Sequence, residues 1–292
     1  MSKAVGDRVV RAITMDGAFR VIATIPTETA NAACAAQGLT GERAVRLGEL
    51  IACAVIIRET TQPTRRVQLV WRDRSGGTMV ADALPDGTSR GIVNPGSSVD
   101  ALPHAEHLLQ VNYTLPNGSL HQGVVSIEQG TSLSEALMQY MQTSEQILAT
   151  AALGAKEGAG ADAVANVGGY LVQVLPEVTH EGLAAMTTHL EQLASLESLV
   201  SGAHGNPRAI IDRVLDGFPF AELADTPVQF GCTCSEARII LGILSLGEDE
   251  VRSMETGPVL EVRCDACGAK YNIEPASIRA MRELRERGEA PS

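Results

Sequence analysis

The sequence predicts an α+β fold with a mostly antiparallel sheet and packed helices, followed by a helical linker and a small C-terminal cysteine-bearing domain. Three observations predict it. Short β-rich runs meet at Gly-containing turns over 1–176. Apolar residues recur at helical spacing over 177–230. Four of the chain's six cysteines fall after Phe230, so the last domain is taken as 231–292.

In order along the chain, Val9 to Ile13 and Phe19 to Ile25 read as strands around Met15-Asp16-Gly17, a hairpin turn. Thr27 to Gln37 is Ala-rich and ends at Gly38, as a short helix does. From Thr40, Leu47, Leu50, Ile51, Ala54 and Val55 have helical spacing. Val67, Leu69 and Trp71 alternate as in a half-buried strand, and Ser75-Gly76-Gly77 turns the chain. Leu108 to Leu115 and Leu120 to Ile127 flank Pro116-Asn117-Gly118 as a second hairpin. Ser132-Leu133-Ser134-Glu135 is a capping box that opens a helix through Leu137, Met138 and Met141. Lys156 to Gly160 fits a surface loop, and Gly168 to Leu175 a final strand ended by Pro176. Glu181 to about Val200 reads as one helix whose apolar face is Leu183, Met186, Leu190, Leu193, Leu196 and Val200; Pro207 to Leu215 is a second helical piece.

Composition narrows the function. Hydrophobic residues make up 45% and aromatics only 3%, so the core is aliphatic. The net charge of −12 disfavours phosphate backbones as partners, and the densest basic run, Arg279, Arg282, Arg285 and Arg287, is interleaved with Glu283, Glu286 and Glu289. No segment approaches the roughly 20 apolar residues of a membrane span. No charged region followed by an apolar run opens the chain, so a cytoplasmic location is expected, with neither nucleic acid nor membrane as partner. No phosphate-binding Gly-rich loop and no Ser-His-Asp or Cys-His signature is present, and no enzymatic activity is expected.

The chemistry gathers in Cys232-Thr233-Cys234 and Cys264-Asp265-Ala266-Cys267, 29 residues apart. In a reducing compartment such clusters serve metal or redox chemistry. Four thiolates at two paired stations suit one tetrahedral zinc, so one Zn2+ per chain is expected on Cys232, Cys234, Cys264 and Cys267. The two-residue gap lets one turn present both sulfurs, and Gly268 can take a left-handed conformation there. In an extended segment Cys232 and Cys234 share a face with Cα atoms roughly 6.5–7 Å apart, near the upper limit for a disulfide. A bond between them requires the backbone to bend, so oxidation and metal binding exclude each other. Loss of the metal removes much of the folding energy of so small a module. Cys34 and Cys53 lie in Ala-rich helical stretches and read as buried, inert thiols. His104 and His107 form a weak His-x-x-His signal after a proline, read as plain surface.

With these residues in view, the chain resembles the heat-shock protein 33 family of redox-regulated chaperones. The likeness is carried by Phe230-Gly231-Cys232-Thr233-Cys234-Ser235, Leu244-Ser245-Leu246-Gly247, Val262-Arg263-Cys264-Asp265-Ala266-Cys267 and Tyr271. It extends to Arg11, Asp16-Gly17, Arg20, Leu47 to Leu50, Arg90 to Pro95, Ser144-Glu145-Gln146, Gly168-Gly169 and Gln173. The resemblance implies an ATP-independent holdase that binds unfolding proteins and prevents their aggregation under oxidative stress. It implies inactivity when reduced and zinc-bound, disulfides Cys232–Cys234 and Cys264–Cys267 when oxidised, zinc release, and a homodimer in the oxidised state. Residues 177–230 occupy the linker position, and their apolar face is the candidate client surface. Relatives often carry an acidic residue where this chain has Thr233. The competing readings are an enzyme or binding protein with a purely structural four-cysteine zinc ribbon, a zinc-ribbon nucleic-acid module, and a thiol oxidoreductase. The acidic balance opposes the second, and the lack of a thioredoxin-like unit around Cys-x-x-Cys opposes the third.

Overall fold

The helix from Gly41 to Thr60 organises the first part of the molecule because it is apolar nearly all round. Leu47, Leu50, Ile51, Cys53, Val55, Ile56 and Ile57 are all buried, and a helix without a polar face must be covered on every side. A computed structural model describes residues 6–61, 65–72, 77–94, 107–114, 118–128 and 130–289. The described residues divide into two compact units, 1–231 and 232–292 by chain position. Residues 177–230 therefore fall within the first unit.

In the first unit, β1 (Arg8–Thr14) and β2 (Phe19–Ile25) form the expected hairpin, with Ile13 opposite Arg20. Gly17 takes φ 72 in its turn, and the Asp16 carboxylate accepts the Ala18 N–H at 3.0 Å. Helix α1 (Thr27–Gln37) ends on left-handed Gly38, and α2 (Gly41–Thr60) follows at once. Strands β3 (Arg66–Arg72), β4 (Thr78–Ala83), β5 (Thr88–Asn94), β6 (Leu108–Thr114) and β7 (Leu120–Ser126) make an antiparallel array. Helix α3 (Leu133–Thr143) starts on the Ser132–Glu135 capping box. Strands β8 (Ala149–Glu157) and β9 (Val164–Val174) pair with each other, and β9 pairs with β2.

The connector contains α4 (His180–Glu191), α5 (Leu196–Gly202) and α6 (Pro207–Val214). The single helix expected from Glu181 to Val200 is thus two: Ser195 caps α5 through its hydroxyl, and 192–195 break the run. The helical character also stops before β10 (Phe220–Pro227) and β11 (Gln229–Phe230). Strand β10 pairs antiparallel with β1 and β11 pairs parallel with β5. β10 is an edge strand with mostly exposed side chains, so it carries little of the apolar alternation that marks a buried strand. Lys156 and Glu157 extend β8 instead of lying in a loop. The turns at Ser75-Gly76 and Pro116-Asn117 lie outside the described residues.

The sheet orders are β10-β1-β2-β9-β8 and β11-β5-β4-β3-β6-β7. Helix α2 packs against strands of both, and Leu47, Ile51, Ile56, Leu69, Leu109 and Leu171 share its core. The far face of the five-stranded sheet is buried under α4, α5 and α6, where Met186, Leu199, Val200, Ile210, Ile211 and Val214 meet Phe19, Val21, Tyr170 and Val172. On the six-stranded sheet, Arg90, Asp82, Gln68 and Asn112 stand opposite one another on successive strands. Asp82 is 3% exposed and accepts from both Arg66 and Arg90 at 2.8 Å.

The N-terminal residues singled out by the resemblance serve this architecture. Arg20 Nε donates to Gln173 Oε1 at 2.6 Å, and Arg11 lies 3.1 Å from Glu59 at the end of α2. The Glu145 carboxylate accepts from the phenols of Tyr140 and Tyr113.

The second unit holds α7 (Glu236–Ile243), α8 (Glu248–Thr256), the hairpin β12 (Leu260–Arg263) and β13 (Lys270–Ile273), and α9 (Pro275–Glu286). Its core is small: Ile240, Ile243, Val251, Ile273 and Ile278. The basic run is engaged locally. Arg282 bridges Glu255 at 3.0 Å, Arg279 donates to the Glu255 carbonyl, and Arg285 donates to the Leu244 carbonyl at 2.8 Å. Among the described residues no helix is long and apolar enough to cross a membrane.

Candidate metal centre

Two local devices bring the four cysteines of the second unit together. The first is the start of α7, where the Ser235 hydroxyl accepts the Arg238 N–H at 3.2 Å and fixes where the extended Cys232-Thr233-Cys234 segment ends. The Arg238 guanidinium turns back and donates to the Thr233 carbonyl at 3.0 Å and to its hydroxyl. The second is the knuckle after β12. Gly268, at φ 73, donates its N–H to the Cys264 carbonyl at 2.8 Å, while the Cys264 N–H donates to the Ala269 carbonyl at 2.8 Å.

All four sulfurs lie within 4.8 Å of one another, each on a half-buried residue and none in a disulfide. Cys232 Sγ is 3.7 Å from Cys264 Sγ, and Cys234 Sγ is 3.4 Å from Cys267 Sγ. Tetrahedral zinc with bonds of about 2.3 Å sets its sulfurs about 3.8 Å apart, so the donor set fits that ion. Among the described residues this is the one group of three or more His, Cys, Asp or Glu side chains arranged to hold a metal. The electrostatics agree. Burial and then the neighbouring sulfurs push the Cys267 thiol up to about 12, against the pull of the Ala269 backbone N–H. Neighbouring sulfurs help to raise Cys234 and Cys267, and a divalent cation among them would favour the thiolates instead.

Tyr271 on β13 completes the site. Its hydroxyl lies 3.1 Å from Cys234 Sγ, and this contact pushes the phenol up to about 12. On Cys234 the phenol is the largest influence and lowers the thiol's pKa, but burial and the sulfurs of Cys232 and Cys264 outweigh it and leave the thiol raised. The sequence marks Tyr271 only as part of a pattern. Its position four residues past Cys267, on the strand leaving the knuckle, is the signal available there. Arg238 gives no such signal.

The remaining candidates lie elsewhere. Cys34 and Cys53 are buried in α1 and α2; burial pushes the Cys34 thiol up to about 11 and raises Cys53 further. Leu183, Met186 and Leu190 on α4, Leu193, and Leu196 and Val200 on α5 all belong to the cluster that covers the five-stranded sheet. An apolar groove of about 440 Å³ remains there, lined by Phe19, Leu148, Val172, Leu183, Met186 and Leu190. His107 lines a cleft of about 290 Å³ with Arg43, Arg46 and Trp71, and His104 lies outside the described residues.

The chain thus carries a mixed α+β unit and a small module whose four convergent thiols could hold a metal ion. The chain belongs to the Hsp33 protein family: that family's sequence model matches residues 7–274. Similar proteins include the 33 kDa chaperonin of Syntrophotalea carbinolica, 29% identical over 94% of this chain and 99% of the relative. That of Listeria welshimeri is 26% identical over 95% of this chain and 98% of the relative. The crystal structure of the 33 kDa chaperonin from Thermotoga maritima shares the fold, with a TM-score of 0.79 at 19% identity, covering 96% of this chain and 99% of that one.

Proposed function

We propose that this protein is a redox-regulated, ATP-independent holdase that binds unfolding proteins in the cytoplasm and keeps them from aggregating. Membership of a chaperone family supports the chaperone role. The observation that carries the redox reading is the meeting of four thiols within 4.8 Å in a unit with a five-residue buried core. Cys232, Cys234, Cys264 and Cys267 would hold one zinc ion, which when bound supplies folding energy that the small core lacks. Pairing of Cys232 with Cys234 and of Cys264 with Cys267 turns four ligand thiolates into two disulfides, so the reduced arrangement is lost. The second unit then loosens, and residues 177–230 loosen with it.

The apolar area at stake lies under α4, α5 and α6. Met186, Leu199, Val200, Ile210 and Ile211 are buried against Phe19, Val21 and Val172 in the closed state, and release offers both surfaces to exposed apolar segments of clients. The oxidised form pairs as a homodimer. Nothing in this role requires a reaction on the client, so the protein is a binder and not an enzyme.

Light scattering from a thermally unfolding client protein tests the reading. Peroxide-oxidised protein is expected to suppress aggregation and the reduced, zinc-loaded protein to leave it unchanged. Equal behaviour of the two forms would make the cysteines a structural ribbon.

A further inference from the structure

We propose that Tyr271 is a positioning residue that restrains Cys234: its phenol donates a hydrogen bond to the Cys234 sulfur and slows attack by that sulfur on a hydroperoxide. The inference rests on the redox reading above and assigns a cause for the rate of one half of the switch.

The geometry is specific. Tyr271 stands opposite Val262 in the β12–β13 hairpin, on the strand that leads out of the Cys264–Cys267 knuckle. Its hydroxyl nevertheless reaches a sulfur of the other half, Cys234, at 3.1 Å. In the zinc-loaded protein Cys234 would already be a thiolate with no proton to give, so there the phenol is the donor and can add no further thiolate. Hydrogen bonds to an ionised acceptor are the stronger kind, and they withdraw electron density from the lone pair that attacks. Hydrogen-bonding partners around metal-site ligands tune them in this way. The contact falls on the Cys232/Cys234 half of the site, while Cys264 and Cys267 sit on the knuckle that Gly268 closes by donating to the Cys264 carbonyl. Arg238 holds the intervening Thr233 by its carbonyl and hydroxyl, so the Cys234 sulfur is kept in place when the phenol is altered.

The oxidative step balances with a hydroperoxide as the oxidant. The Cys234 thiolate attacks one peroxide oxygen; an S–O bond forms, the O–O bond breaks, and the second oxygen leaves as hydroxide or alkoxide. The sulfur loses two electrons and the peroxide gains them. A neighbouring thiol then attacks that sulfur; an S–S bond forms, the S–O bond breaks, and hydroxide leaves as water with the thiol's proton. The product sulfur carries no charge, so the phenol's bond to it is weak. Tyr271 therefore favours the reduced state as well as slowing its loss.

The test uses the full chain, reduced and zinc-loaded, treated with hydrogen peroxide, with free thiols trapped at intervals and the two cysteine-bearing peptides read by mass spectrometry. Tyr271→Phe keeps the ring and removes the donor. It is expected to speed early oxidation of the Cys232/Cys234 peptide about two- to tenfold while the Cys264/Cys267 peptide keeps its rate. A ring-fluorinated tyrosine placed at 271, a stronger donor of nearly the same shape, is expected to slow the Cys232/Cys234 peptide below the parent rate. Unchanged rates in both variants, or equal acceleration of both peptides in Tyr271→Phe, would overturn the proposal. Should Tyr271→Phe fail to retain zinc, the fluorinated protein decides alone, and an unchanged rate there refutes the role. Failure of the oxidised parent protein to suppress client aggregation would instead sink the redox reading, and the peptide rates would still decide what Tyr271 does.

Discussion

Cys234 Sγ lies 3.4 Å from Cys267 Sγ although 33 positions separate the two residues. The contact closes the second unit on itself: α7, α8 and β12 lie between its ends. With so few buried side chains to oppose the chain entropy of some sixty residues, a metal cross-link is the natural source of stability. Chelating zinc from the reduced protein should therefore collapse amide protection at Ile240, Ile273 and Ile278 while protection at Ile22, Ile51 and Leu171 persists. Hydrogen exchange read by mass spectrometry checks this; parallel loss in both units would count against it.

Ile211 is fully buried between α6 and the five-stranded sheet. Ile211→Ala leaves a cavity worth about 2–5 kcal/mol in the layer that must open if the protein is to hold clients. The reduced variant should suppress client aggregation in part without any oxidant. A loss of thermal stability with no gain in suppression would show that this layer is not the one released.

Cys34 and Cys53 should be invisible to alkylating reagents in the folded protein. Burial raises the Cys34 thiol from an ordinary value near 9.0 to about 11, so at pH 8 about one molecule in a thousand carries the thiolate. Once the metal is chelated and the second unit has unfolded, iodoacetamide should label the four clustered cysteines, and should reach Cys34 and Cys53 only in denaturant. The linkage has a sign. A thiol harder to ionise when folded contributes stability fully below pH 9, and loses it as the pH rises from 9 towards 11. Denaturation midpoints should fall over that window, and Cys34→Ala should flatten part of the fall.

Asp82 anchors two guanidiniums, Arg66 and Arg90, and is almost wholly buried. Asp82→Ala leaves both without their carboxylate and should cost about 3 kcal/mol or more, read as a lowered urea midpoint. Zinc content of the reduced variant should stay unchanged, since Asp82 and the four cysteines belong to different units.

The sequence exposes those parts of the fold where local chemistry and tertiary structure agree. Gly17, Gly38 and the Ser132–Glu135 box mark elements by backbone geometry that few other residues satisfy. The four cysteines are legible because an arrangement able to hold a metal ion needs fixed donor types at fixed spacing. Strand β10 is not legible: its side chains are mostly exposed, and its strand character comes from pairing with β1, more than two hundred residues earlier. The break between α4 and α5 is hidden because Leu193 and Leu196 continue the apolar spacing through it. Tyr271 and Arg238 act through contacts across the site that spacing alone does not encode.

The most direct test of the redox switch is to count zinc and thiols together during peroxide titration of the reduced protein. A switch built on these four cysteines predicts one zinc per chain at the start, its full release as four thiols disappear, and two thiols surviving on Cys34 and Cys53. Markedly less than one zinc at the start, or zinc retained after four thiols are lost, would contradict it.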